Sequence, residues 1–168
     1  MSLSAADFPT TGPRVLVDAD ACPVKEEVQK VCFRLKIPMI FIANGYLRLP
    51  QHPLVALEVV GSGFDAADDR VVERCATGPG AVAITQDILL ADRCLKEGAA
   101  AVLSPKGVPF TEGSIGGAVA TRAIMEDLRA GAGVAAEGMK GQAPFSNRDR
   151  AQFLQALDTA LQKVRRGR

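Results

Sequence analysis

Five short apolar runs mark the first hundred residues, and between them apolar side chains recur at helical spacing. Val15-Leu16-Val17 predicts a strand over 14–18. Val24, Val28, Val31 and Leu35 predict one apolar face of a helix over 23–36, with Glu26 and Lys30 spaced to pair. "IPMIFIAN" (37–44) and "LVALEVV" (54–60) predict the second and third strands, ended by Asn44-Gly45 and "GSGFD". A helix over 66–76 turns Val71, Val72 and Cys75 inward. "AVAIT" (81–85), a helix over 87–96 and "AAAVL" (99–103) follow. Two longer helices, roughly 114–130 and 147–165, complete the pattern, the last carrying Phe153, Leu154, Leu157 and Leu161.

Strands that are apolar on both faces and alternate with helices predict a mainly parallel sheet of about five strands in an α/β domain. The helices should cover both faces through right-handed crossovers. Residues 1–13 read as a flexible extension, 14–168 as one domain, and the Gly-rich stretch 131–144 as a loop within it.

Composition leaves that picture intact. The chain is 48% hydrophobic and 23% charged, an ordinary globular balance. No run reaches the ~18 apolar residues of a membrane span. "MSLSAADFPTTGP" lacks the basic and apolar regions of a secretory signal, so a cytoplasmic location is expected. Cys22, Cys32, Cys75 and Cys94 form no C-x-x-C pair, which argues against structural zinc and disulfides. Cys32, Cys75 and Cys94 are expected in the core. Cys22, before a helix, invites a lowered pKa. Charge is uneven: residues 140–168 hold seven Lys/Arg against two Asp/Glu, +5, whereas the remainder is −4. That asymmetry fits a phosphate-facing patch beside an acidic body, and equally a solvated helix end.

The candidate chemistry lies at one edge. Ligands of an open α/β sheet bind beyond the carboxyl ends of its strands. Strand one ends in Asp18 and Asp20, strand three leads into Asp65, Asp68 and Asp69, and strand four ends in Thr85 with Asp87 beyond. Two unit charges 4 Å apart repel by about 4 kcal/mol at an effective dielectric of 20. Mg²⁺ or Mn²⁺, which prefers oxygen ligands, would offset such crowding. Helix capping competes as an explanation for Asp20, Asp65 and Asp87. It serves Asp18 least, because that residue directly follows the buried run. His52, in a polar loop, is expected to be exposed.

Order along the chain sorts the families that use such an edge. A haloacid-dehalogenase-like phosphatase would match Asp18-Ala19-Asp20 and Thr85, but its second acidic pair comes last. A receiver domain would use Lys106, yet Asp65 lies beyond its strand. Asp18, then Asp65 and Asp68, then Thr85-Gln86-Asp87 follows the order of PIN- and NYN-type nucleases. "VDADACPVKEEV", "GFDAADDRVVERC", "AITQDILLADRCLKEGAAAVLSPKG" and "SNRDRAQFLQALD" together resemble the YaiI/YqxD family across roughly residues 14–163.

That resemblance implies a PIN-like three-layer fold and a divalent-metal-dependent nuclease; RNA is the expected substrate ahead of DNA, a choice the sequence itself does not make. It implies Asp18 and Asp87 as the leading acids, then Asp65, Asp68 and Asp20, with Asp69 and Asp92 explained by helix-surface roles. Thr85 and Asp69 would support the ligands from behind. Arg148, Arg150, Arg48 and Asn44 are the candidate substrate contacts. Ser146 is the expected cap of the last helix, with Asp149 at its third position. Tyr46 and Arg48 offer stacking and charge to a nucleotide, but a packed loop aromatic beside a solvated arginine is the favoured expectation. A non-enzymatic nucleic-acid-binding module with a degenerate site stays open beside the phosphatase. Oligomeric state is left undetermined by the sequence.

Overall fold

Strand β1 (Arg14–Asp18) occupies the centre of a five-stranded sheet, flanked by β2 (Met39–Ala43) and β4 (Ala81–Ile84). β3 (Val55–Val59) and β5 (Ala101–Leu103) form the two edges, so the order is β3-β2-β1-β4-β5 and every pairing is parallel. The computed structural model describes residues 2–20, 22–61, 63, 65–116 and 145–167.

Side chains alternate across a strand, and the two sets meet different helices. Val15, Val17, Met39, Phe41, Val82 and Ile84 pack against α1 (Lys25–Leu35) and α4 (Asn147–Arg166). Leu16, Ile40, Ile42, Ala83 and Val102 pack against α2 (Ala66–Ala76) and α3 (Ile88–Lys96). The result is a single three-layer α/β domain, as the alternating pattern predicts. Cys32, Cys75 and Cys94 are buried in these layers as expected.

The helix ends follow local chemistry. α4 opens on a reciprocal capping box, in which Ser146 Oγ accepts from Asp149 N–H and the Asp149 carboxylate accepts from Ser146 N–H. α1 closes on Lys36 in the left-handed region, φ 59°, whose N–H donates to the Cys32 and Phe33 carbonyls. α1 begins two residues later than the spacing suggests, at Lys25, with Val24 at its N-cap and no side-chain cap bond.

Two expectations change. The N-terminal residues are docked rather than loose: Phe8 is 3% exposed, Leu3 N–H donates to Val55 O, and a short 3₁₀ turn spans Ala5–Asp7. Phe8, with Leu3 and Ala5 packed beside it and Arg74 donating to Ala5 O, ties the segment to the α2–α3 face. His52 is half-buried, its Nδ1 accepting from Leu54 N–H and its ring 4.5 Å from that of Phe33. The helix expected over 114–130 is described only through residue 116, and the 131–144 stretch lies outside the described residues.

Candidate functional site

The direction in which strands are added reverses at β1: the path goes outward from β1 through β2 to β3, then crosses to β4 and β5. The carboxyl ends of β1 and β4 therefore bound the crevice where a doubly wound sheet binds ligands. Asp18 ends β1, and Thr85 follows β4.

These two strand ends are joined by one hydroxyl. Thr85 Oγ1 donates to Asp18 Oδ2 at 2.8 Å and accepts from Asp87 N–H at 3.0 Å. Thr85 is almost fully buried, so the link is held in place. Asp87 also caps α3, its Oδ1 accepting from the N–H groups of Leu89 and Leu90 at 2.9 and 3.2 Å. Capping and membership of the acidic edge coexist in this residue, because a carboxylate has lone pairs for both.

The other acids depart from simple capping. Asp20 does not cap α1. Its carboxylate instead accepts from Asn44 N–H at 3.1 and 3.3 Å, tying the loop after β1 to the end of β2. Asp65 precedes α2 with φ 63° and makes no side-chain cap bond. A left-handed backbone is uncommon outside glycine, though Asp tolerates it best among charged residues. Asp18, Asp20, Asn44, Asp65 and Asp68 line one cleft of about 410 Å³, together with Gly63. Asp69 leaves this group. It points to an ion pair with Arg93 at 2.8 Å on the surface, as Asp92 does with Lys96.

Electrostatics follows from that convergence. Burial pushes the Asp18 carboxyl up to about 6; the Thr85 hydrogen bond opposes the rise, and Asp68, Asp20 and Asp87 add to it. Asp68 is raised too, first by burial, then by Asp87 and Asp65, with Arg93 partly offsetting. Among the described residues no three His, Cys, Asp or Glu side chains are grouped closely enough to hold a metal ion between them. A closed protein cage is thus not preformed in the described part of the molecule.

The basic candidates divide. Arg150 donates to Pro23 O at 3.1 Å, pairs with buried Glu27 at 3.3 Å and lies 4.8 Å over the Phe145 ring. It clamps α4 onto the loop after β1, and its guanidinium is already engaged. Arg148 is exposed at the start of α4, and Asn44 and Arg48 are exposed beyond β2. Tyr46 is not packed: it is 80% exposed. Burial, opposed by Val24 N–H and Lys25, pushes the Cys22 thiol up, against the sequence expectation of an activated cysteine.

Sequence reasoning missed Arg14 and Glu27, two charged side chains buried in the fold. Their positions, inside a strand run and one helical turn before the apolar Val31, look like surface in a linear pattern. Only their partners from distant segments explain them.

The family model described as "Uncharacterized BCR, YaiI/YqxD family" matches residues 16–163. A UPF0178 protein of Sphingopyxis alaskensis is 56% identical over 157 residues, covering 94% of this chain and 98% of that protein. A UPF0178 protein of Jannaschia sp. is 50% identical over 154 residues, covering 92% and 96%. One from Rhodospirillum centenum is 49% identical over 154 residues, covering 92% and 98%. No solved structure matches the chain at a significant level. No helix among the described residues is long and apolar enough to cross a membrane. The matched residues take in the last three residues of β1, the acidic cleft and most of α4, and the chain belongs to the YaiI/YqxD family of bacterial UPF0178 proteins.

Proposed function

We propose that this protein is a divalent-metal-dependent nuclease that hydrolyses phosphodiester bonds, with RNA as its substrate. The observation that carries the reading is the convergence of Asp18, Asp20, Asp65 and Asp68 on one cleft at the sheet's switch point, with Asp87 tied to Asp18 through Thr85.

The donor set suits a hard cation. It is all oxygen, and its central carboxyl is destabilised by burial and by three neighbouring aspartates. Mg²⁺ commonly takes one or two carboxylates and keeps several waters, so a preformed trio is not required. Asp18 and Asp87 would hold the ion, with Asp20, Asp65 and Asp68 as the remaining donors of the cleft. A bound Mg²⁺ or Mn²⁺ would polarise the phosphodiester and make water a stronger nucleophile. Thr85 fixes the Asp18 rotamer by its hydrogen bond, and Asn44 N–H does the same for Asp20. Asp68, lining the same cleft, is placed to orient the water.

Incubation with single-stranded RNA and with single-stranded DNA, in Mn²⁺ and then in chelator, tests the reading. Cleavage of RNA that stops in chelator and in an Asp18→Asn/Asp87→Asn variant is the expected result. Cleavage that persists in chelator sinks the mechanism. Hydrolysis of a phosphomonoester with intact polynucleotide indicates a phosphatase, and binding without cleavage indicates a binding module.

A further inference from the structure

The loop after β2 leaves the acidic cleft in an ordered way. Asn44 lines the cleft, and the next residues alternate in burial: Tyr46 is exposed, Leu47 partly buried, Arg48 exposed, Leu49 partly buried. Leu47 and Leu49 pack against the core of the α1–α4 face. The alternation in burial leaves Tyr46 and Arg48, two residues apart, both facing solvent. Tyr46 lies two residues from Asn44, so its Cα is within about 7 Å of that of Asn44.

Both outward groups are unspent. No hydrogen bond or ion pair from another described residue engages the Tyr46 hydroxyl or the Arg48 guanidinium, whereas Arg70, Arg74, Arg93 and Arg150 are all paired with carboxylates. A single exposed apolar side chain needs no explanation. An exposed aromatic ring and an exposed guanidinium two residues apart, in a segment that Leu47 and Leu49 pack onto the core and whose Asn44 lines the acidic cleft, form a specific arrangement.

We propose that Tyr46 and Arg48 form a platform for one unpaired nucleotide, the ring stacking on its base and the guanidinium pairing with its phosphate, so that the next phosphodiester is presented to the cleft. Aromatic stacking needs an accessible base face, and a duplex hides it, so the platform selects single strands. Arg48 supplies attraction where the aspartates repel a polyanion. The proposal deepens the nuclease reading and rests on it for the fate of the strand, but base stacking is measured separately from cleavage.

The chain supplies its own reporter, because Tyr46 is its one tyrosine and it has no tryptophan. In chelator, where no cleavage is expected, titration with short oligouridylate or oligothymidylate should quench emission from a Tyr46→Trp variant excited at its red edge. Labelled-oligonucleotide anisotropy on the natural chain should weaken about tenfold in Tyr46→Ala and stay near the parent value in Tyr46→Phe. Arg48→Ala should flatten the slope of log affinity against log salt by about 0.7, the share of one phosphate on a single strand. A packing role for either residue would not move that slope.

Absence of quenching, or natural-chain affinity retained in Tyr46→Ala, overturns the platform. Failure of the natural chain to bind either oligonucleotide does the same and turns this surface towards a protein partner. Cleavage by Tyr46→Ala with unchanged kcat and KM removes the platform and leaves the nuclease reading standing. Quenching without metal-dependent cleavage keeps the platform and removes the nuclease.

Discussion

Strand β1 carries a charge at each end, and the two ends are treated in opposite ways. Arg14 and Asp18 fall on the same face, four residues apart, both turned toward α2. Arg14 has no exposed surface, and its guanidinium donates to the carbonyls of Gly12, Arg74, Gly78 and Pro79 and to Thr77 Oγ1, at 2.8 to 3.3 Å. Those partners include the end of α2, where a helix leaves carbonyls unsatisfied and favours a cation. Asp18 meets the other end of α2, where an anion should be favoured. There the first turn brings its own acids, Asp68 and Asp69, and the Thr85 hydroxyl donates to Asp18. The amino edge surrounds the two terminal nitrogens of its cation with five acceptors, although the buried Nε finds none, whereas the carboxyl edge gathers carboxylates that raise one another's pKa. The lesson is that a buried charge with its partners present is architecture, and one without them marks a place for a ligand.

The largest expected effect breaks the amino edge. Arg14→Met leaves several carbonyls unpaired in the interior and should cost on the order of 3–5 kcal/mol. For a chain of this size that is a fall in Tm of about 10 °C or more by calorimetry. Next, Mn²⁺ at a hundredfold excess over its Kd should raise stability by about 2.7 kcal/mol in the natural chain and by nothing in Asp18→Asn/Asp87→Asn. An equal rise in the variant would place the ion elsewhere.

A smaller effect sharpens the sign of the comparison. Because the folded Asp18 carboxyl titrates near 6 against an ordinary 3.8, the unfolded chain gives up its proton first. Its contribution in chelator is therefore neutral below about pH 4 and becomes destabilising as pH rises through about 6. Asp18→Asn should flatten that decline and gain about 1–2 kcal/mol at neutral pH, after allowance for solvent screening of a partly exposed group. Denaturant melts at several pH values measure both. A loss of stability in that variant would mean that the carboxyl edge is as well partnered as the amino edge. The smallest change is Asp65→Gly, which relieves a left-handed backbone. It should gain at most about 1 kcal/mol in melts while slowing cleavage several-fold.

Most of the layered architecture was legible in the chain. Five apolar runs and the helical spacing of Val28, Val31, Leu35, Phe153, Leu157 and Leu161 account for the strands and the covering helices. Ser146 with Asp149, and Asp87 before Leu89 and Leu90, were readable as caps because those bonds lie within one turn. The docking of the N-terminal segment through Phe8, the exposure of Tyr46 and the pairing of Arg150 with Glu27 were not legible, for one shared reason. Whether an aromatic packs or an arginine is already paired depends on segments far away in sequence, and local pattern carries no record of them.

The amino-acid order by itself determined which residues lie at the carboxyl ends of the strands, since hydrophobic periodicity is a local property enforced by burial. It thereby named Asp18, Asp20, Asp65, Asp68 and Asp87 before any coordinate was known. Tertiary structure alone decided which of them share a cleft. The reversal of strand order beside β1 brought β4 next to it, and so placed Thr85 against Asp18 across 67 residues of chain. It also sent Asp69 outward to Arg93 and withdrew Arg150 to Glu27. Long-range pairing sets these outcomes because a charged side chain settles where its partners are, and those partners are assembled only when the sheet closes.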